Sequence, residues 1–80
     1  MFAAMVENEL KRARVKHPEI NSYHEGYAVI LEELDEFWDE VKAWRGSKWN
    51  ENDISAWRDR VLHELVQVAA MAQRTAEDCA

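Results

Sequence analysis

YHEGYAVILEELDEFWDEVKAW, residues 23 to 44, is the stretch that decides the fold. Within it Tyr27, Ile30, Leu31, Leu34, Phe37, Trp38, Val41 and Trp44 recur at intervals of three and four, the spacing that lines one face of an α-helix. Just ahead, Ser22 and Glu25 stand in capping-box register, with Asn21 as a competing cap. A helix is therefore expected from about Tyr23, closed by Gly46. Toward the N-terminus, His17-Pro18-Glu19 ends an earlier helix, because the residue before a proline is pushed out of the α region. That helix, Phe2 to about Lys16, puts Phe2, Met5, Val6, Leu10 and Ala13 on one face. Toward the C-terminus, Ser47 to Asn52 reads as a linker, and Asn50, Asn52 or Asp53 can cap a third helix. From Ile54 a third stripe runs through Trp57, Val61, Leu65, Val68, Ala72 and Ala76. Leu62, Ala69 and Met71 widen it enough to serve two neighbours. Ala76 to Ala80 is small and acidic, and is expected to fray.

With 2 glycines, 1 proline and hardly any consecutive β-branched residues, strand and hairpin signals are nearly absent, so the class is all-α. The 80 residues suffice for a single domain spanning 1–80. A chain of this size buries only about 60% of the surface its unfolded form exposes, so its own core is marginal. The single cysteine, Cys79, rules out an internal disulfide and is expected to be inert. Four tryptophans, two tyrosines and two phenylalanines are a heavy aromatic load. Together these features imply a small bundle of three main helices completed by homo-oligomerisation. Ten basic against 16 acidic groups, net −6, argue against nucleic-acid polymers or anionic membrane as partners. No stretch approaches the roughly 20 apolar residues of a membrane span. Met1 to Val6 lacks the length and basic flank of a signal peptide, so a cytoplasmic protein is expected.

The acidic residues divide into two kinds. At about 100° per residue, Glu33, Glu36 and Glu40 fall in one narrow sector bordering the apolar stripe, whereas Glu32, Asp35 and Asp39 point elsewhere. Like charges three or four residues apart repel, and no lysine or arginine at matching spacing relieves Glu33 or Glu36. A solvated acidic face is the plain reading of such a run. Glu64 is harder to dismiss, for it lies between Trp57, Val61 and Val68 on one side and Met71 on the other. It must find a partner, for which Arg60 is available one turn earlier, or be protonated. If the second and third helices pack antiparallel, Glu33 and Glu36 face Glu64 and Gln67 across a groove. Hard oxygen donors of this kind suit Mg²⁺ or Mn²⁺ held together with substrate phosphates. A divalent cation would also let an acidic protein bind a polyphosphate. Lys42, Arg45, Lys48 and Arg58 cluster around the linker and could reach phosphates. Trp44, Trp49 and Trp57 could stack on a base, although core or subunit interface is the plainer reading for each. His24 and His63 lack a second histidine at ligand spacing and read as packing or surface residues, and His17 as a loop residue.

Glu32-Glu33-Leu34-Asp35-Glu36 resembles the E-E-x-x-E motif, and Glu64-Leu65-Val66-Gln67 the E-x-x-D motif, of the all-α nucleoside triphosphate pyrophosphohydrolases. This is the MazG-like superfamily, which includes the dimeric dUTPases. HEGYAVILEELDEFWDEVK followed by ELVQVAAMAQR is similar to short phage-encoded members, and the resemblance extends from about His17 to Cys79. It implies a helical bundle assembled as a homodimer or homotetramer, with Mg²⁺ (or Mn²⁺) between the motif helices. The implied reaction is hydrolysis of a nucleoside triphosphate to the monophosphate and pyrophosphate. Carried onto this chain, Glu33, Glu36 and Glu64 would be metal ligands, and Gln67 would occupy the motif's aspartate position. Glu32 would be a further ligand or the catalytic base that orients the water. Lys42, Arg45, Lys48 and Trp49 are the candidates for substrate contact. Gln67 departs from the pattern: its amide oxygen can coordinate but brings no charge, and Glu40, one turn beyond the motif, can compensate. The alternative is a non-catalytic dimerisation, nucleotide-sensing or regulatory module with a degenerate site.

Overall fold

The computed structural model describes residues 1–80 and is all-helical. Its elements are α1 (Phe2–Lys16), α2 (Tyr23–Lys42), a 3₁₀ turn at Gly46–Lys48, and α3 (Glu51–Asp78). α3 is the spine: α1 and α2 each pack against it and not against one another. The molecule measures 45 × 24 × 18 Å. Its radius of gyration, 14.4 Å, exceeds the roughly 12 Å of a compact chain of this length.

The helix ends follow local chemistry. Ser22 Oγ accepts from the Glu25 amide at 3.1 Å, while the Glu25 carboxylate accepts from Asn21, one residue earlier than a reciprocal box requires. At α3 the box is complete: Asn50 accepts from the Asp53 amide at 2.9 Å and Asp53 accepts from the Asn50 amide at 3.2 Å. This starts the helix at Glu51, three residues before Ile54. α2 stops at Lys42 instead of running to Gly46. Aromatic packing overrides helix continuation there, because Trp44 turns to meet Trp57 at 4.9 Å and Trp49 at 5.4 Å between ring centroids. The Trp57 indole N–H donates to the Glu40 carbonyl at 2.7 Å, which also accepts from the Ala43 amide, and so ties the end of α2 to α3. Gly46, at φ +63°, makes the reversal in a conformation that side chains with a Cβ disfavour.

The buried apolar residues are Val6, Leu10 and Ala13 of α1, Ile20 of the connection, and Val66, Ala70 and Met71 of α3. α1 thus buries the face its spacing indicates, except for Phe2 at its exposed start. The wide apolar surface of α3 does serve two neighbours, yet the stripe through Leu65, Ala72 and Ala76 is exposed and the narrower Val66–Ala70 face meets α1. α2 buries only Gly26. There α3 comes so close that a Cβ would stand 3.0 Å from Thr75 Cβ and nearer still to its γ atoms.

The C-terminal segment is pinned, where fraying was expected. Asp78 accepts from the Ile20 amide at 2.9 Å and from Arg14 at 2.8 Å, and Glu77 accepts from Arg14 at 2.7 Å. The Tyr23 hydroxyl donates to the Cys79 carbonyl, and the Cys79 thiol to the Ile20 carbonyl. Arg74, 5% exposed, donates to the Pro18 carbonyl. The acidic end of α3 therefore holds the α1–α2 connection, and these contacts hold the carboxyls of Asp78 and Glu77 below their ordinary range. For Asp78 the Ile20 amide is the main cause, followed by Arg14; for Glu77 it is Gln73, followed by Arg14.

Candidate functional site

The contacts of Tyr23 with Cys79 and of Glu40 with Trp57 and Arg60 show that α2 and α3 run antiparallel. Glu33 and Glu36 lie midway along α2, and Glu64 lies opposite on α3. One carboxylate oxygen from each falls within 4.8 Å of the others. Glu33 and Glu64 are half-buried, and Glu36 is exposed.

Neighbouring carboxylates occur on many acidic surfaces, so proximity alone says little. The distinguishing feature is how this group is left. Glu33 Oε2 and Glu64 Oε2 are shielded from solvent and have no hydrogen-bond partner. Burial pushes the Glu33 carboxyl up to about 7, helped by its hydrogen bond with Glu36 and by the charges of Glu36, Glu64 and Glu32. Glu64 is raised as well, first by burial and then by Glu36, with His63 working in the opposite direction. Arg60, one turn before Glu64, pairs with Glu40 at 3.2 Å. Glu40 is thereby engaged by a cation, and no basic side chain pairs with Glu33, Glu36 or Glu64.

Beside the trio a groove of about 520 Å³ opens between α1 and α2 over α3. Glu25, Val29, Glu32 and Glu33 line it from α2; Gln67, Met71 and Arg74 come from α3, and Glu9, Arg12, Lys16 and His17 from the α1 side. Arg12 is held in a fork with Glu9 at 3.0 and 3.1 Å. Glu32 and Gln67 therefore share one cavity with Glu33. The α1 cations were not singled out from sequence; the i, i+3, i+7 row of Glu9, Arg12 and Lys16 reads as a solvated helix face until α1 is docked on α3.

Lys42, Arg45, Lys48 and Trp49 lie at the hairpin end, and none of them lines the groove. Along α2, Lys42 is about 13 Å from Glu33 at 1.5 Å per residue. Lys42 pairs with Asp39 at 3.4 Å and lies over Trp38, while Trp49 packs against Trp44 and Trp57. The three tryptophans join the end of α2 to the start of α3.

Compared with protein families, curated proteins and solved structures, the chain matches none. No helix is long and apolar enough to cross a membrane. The geometry can concentrate negative charge at the juncture of two helices, hold a proton near neutral pH in the absence of a cation, and bring acidic and basic side chains together in one groove.

Proposed function

We propose that the protein is a Mg²⁺- or Mn²⁺-dependent nucleoside triphosphate pyrophosphohydrolase of the MazG-like kind. It would convert (d)NTP to (d)NMP and pyrophosphate as a homo-oligomer with a nucleotide-pool or house-cleaning role. The observation that carries this reading is the convergence of Glu33, Glu36 and Glu64 from two helices without a basic partner, two of their oxygens being shielded and unbonded. The donor set fits a hard divalent cation, since it is all oxygen, negatively charged and short of compensating charge. A cation bound there would neutralise the triphosphate and lower the pKa of a bound water.

The rest belongs to the chain itself. Glu33, Glu36 and Glu64 would hold the cation, and Gln67 would offer an amide oxygen one turn after Glu64. Glu32, exposed on the groove wall beside Glu33, orients the attacking water and accepts its proton. Arg12 and Lys16 share the cavity with Glu32 and Glu33 and are the cations that would meet phosphate oxygens there, with His17 beside them. Lys42, Arg45, Lys48 and Trp49 serve a substrate that extends toward the hairpin.

Ion-exchange analysis after incubation with each NTP and dNTP, in Mg²⁺ or Mn²⁺, tests the reading. Monophosphate and pyrophosphate are expected, and both should disappear with Glu33→Gln and Glu64→Gln. No product from any nucleotide with either metal would overturn it. Gln67 favours a second reading, a nucleotide-sensing or regulatory module with a degenerate site; this predicts nucleotide binding without product, and turnover gained on Gln67→Asp.

A further inference from the structure

We infer that the outer face of α2, formed by Tyr23, Tyr27, Leu31, Leu34 and Trp38, is where a second copy of the chain docks, with the two α2 helices antiparallel. The inference rests on the homo-oligomeric part of the proposed function and is independent of its chemistry. These residues follow one another at spacings of four, four, three and four, so they occupy a single sector of the helix. No charged residue interrupts that sector, and every member is at least 40% exposed. The α2 helix, with the most regular apolar stripe in the sequence, thus buries only Gly26.

Area and fold economy identify the occupant. Tyr23, Tyr27 and Trp38 are 65%, 67% and 54% exposed; at about 150–250 Å² per aromatic side chain, they alone offer roughly 300–450 Å². That is about half of the ~800 Å² each partner contributes to a standard interface, before Leu31 and Leu34 are counted. The chain buries 10 of its 80 residues and fully buries no large side chain, so its own core is marginal and covering this face would stabilise it. A second copy is the one partner present wherever the chain is made. An uncharged stripe also gives a nucleic acid or a charged peptide nothing to recognise. The pairing is antiparallel because a two-fold axis near Leu31 sets Asp35 of one copy beside Tyr27 of the other, a carboxylate against a hydroxyl donor. Parallel helices would align Asp35 with Asp35 between chains that each carry −6.

Sedimentation velocity at micromolar concentration tests the inference on the wild type and on Leu34→Glu, Trp38→Glu and Val15→Glu. Val15 is 88% exposed on α1 and serves as the control. The wild type and Val15→Glu should sediment as dimers or larger, while association of Leu34→Glu and Trp38→Glu should weaken on the order of 100-fold. If either glutamate variant fails to fold, Leu31→Cys in a Cys79→Ser background supplies the answer, since diamide should join position 31 to its counterpart. A monomeric wild type overturns both the inference and the homo-oligomeric reading. An assembly that survives both glutamates, or that never cross-links through position 31, overturns the inference alone. Because the readout is mass, an inactive dimer upholds it and an active monomer overturns it.

Discussion

Replacing Glu33 by glutamine should stabilise the metal-free protein while removing its response to divalent cations. The native carboxyl is pushed from an ordinary 4.5 to about 7, chiefly by burial and next by Glu36. Ionising it therefore costs the folded state more than the unfolded chain. At 1.36 kcal/mol per pH unit this is about 3 kcal/mol before screening. Glu33 is only half-buried, and allowing for solvent screening leaves on the order of 1–2 kcal/mol. The sign follows from proton counting. Below 4.5 both states are protonated and no difference exists; between 4.5 and 7 the native state holds the extra proton, so stability falls as pH rises. Above 7 the full cost is present. Glutamine keeps the shape and donates an N–H to Glu36 where the protonated acid donates an O–H. In a domain of this size 1 kcal/mol moves Tm by about 4–8 °C, so the variant should melt roughly 5–10 °C above wild type at pH 8 in EDTA.

The assay is circular-dichroism melting from pH 4 to 8.5 at one protein concentration, with EDTA and then with saturating Mg²⁺ or Mn²⁺. Wild type should gain stability with the cation, by about 2.7 kcal/mol at a hundred times its Kd; Glu33→Gln should gain little. Two results would refute the reasoning. A variant melting at or below wild type at pH 8 in EDTA would mean that Glu33 carries no ionisation cost. A gap equally large at pH 4 would mean that packing, not charge, separates the two proteins.

Gln67→Asp should tighten Mn²⁺ binding in calorimetry and lower the metal-free melting point at pH 8, since it adds a carboxylate beside the trio. Gly26→Ala should cost about 1–3 kcal/mol in urea denaturation, because α2 must back away from Thr75; an unchanged midpoint would contradict the close approach. In wild type, the stability Asp78 contributes is present above its ordinary 3.8 and lost as pH falls through its lower native value. Asp78→Asn should therefore flatten the acid limb of the stability curve and speed hydrogen exchange in α1 near neutral pH.

The three helices were legible because α-helical periodicity and caps are local signals. Ser22 and Asn50 do what their side chains allow, and His17-Pro18 breaks the chain where a proline must. The ends that went astray were decided by distant groups. Trp44 leaves α2 for Trp57 and Trp49, and the tail is held by Arg14 and the Ile20 amide, some sixty residues away in sequence. The wheel grouped Glu33 and Glu36 but joined Glu40 to them, and Glu64 entered only through the expected antiparallel packing; the pairing of Arg60 with Glu40 was not legible, because both i+4 and cross-helix partners were open to that arginine. The α1 wall of the groove was illegible for the same reason: Arg12 and Lys16 resemble ordinary surface residues until α3 brings them opposite Glu32 and Glu33.

Periodicity identifies an apolar face and cannot say what covers it. The stripe of α2 reads as the centre of a core, yet in the single chain α3 takes only one edge of it, at Gly26 and the half-buried Val29, Ile30, Phe37 and Val41. Glu33 and Glu36 lie on the edge that meets Glu64, and Tyr23, Tyr27 and Trp38 lie on the other side. The helix that presents the carboxylates is thus the one that leaves most apolar surface outside the chain's own core. Docking a second copy on its outer face would hold α2 against α3 and keep Glu33 and Glu36 within reach of Glu64. Loss of the dimer should then weaken divalent-cation binding even though no substituted residue touches the trio, and the metal-dependent rise in Tm should shrink in Leu34→Glu but not in Val15→Glu. An undiminished rise in a monomeric Leu34→Glu would show that α3 alone keeps α2 in place.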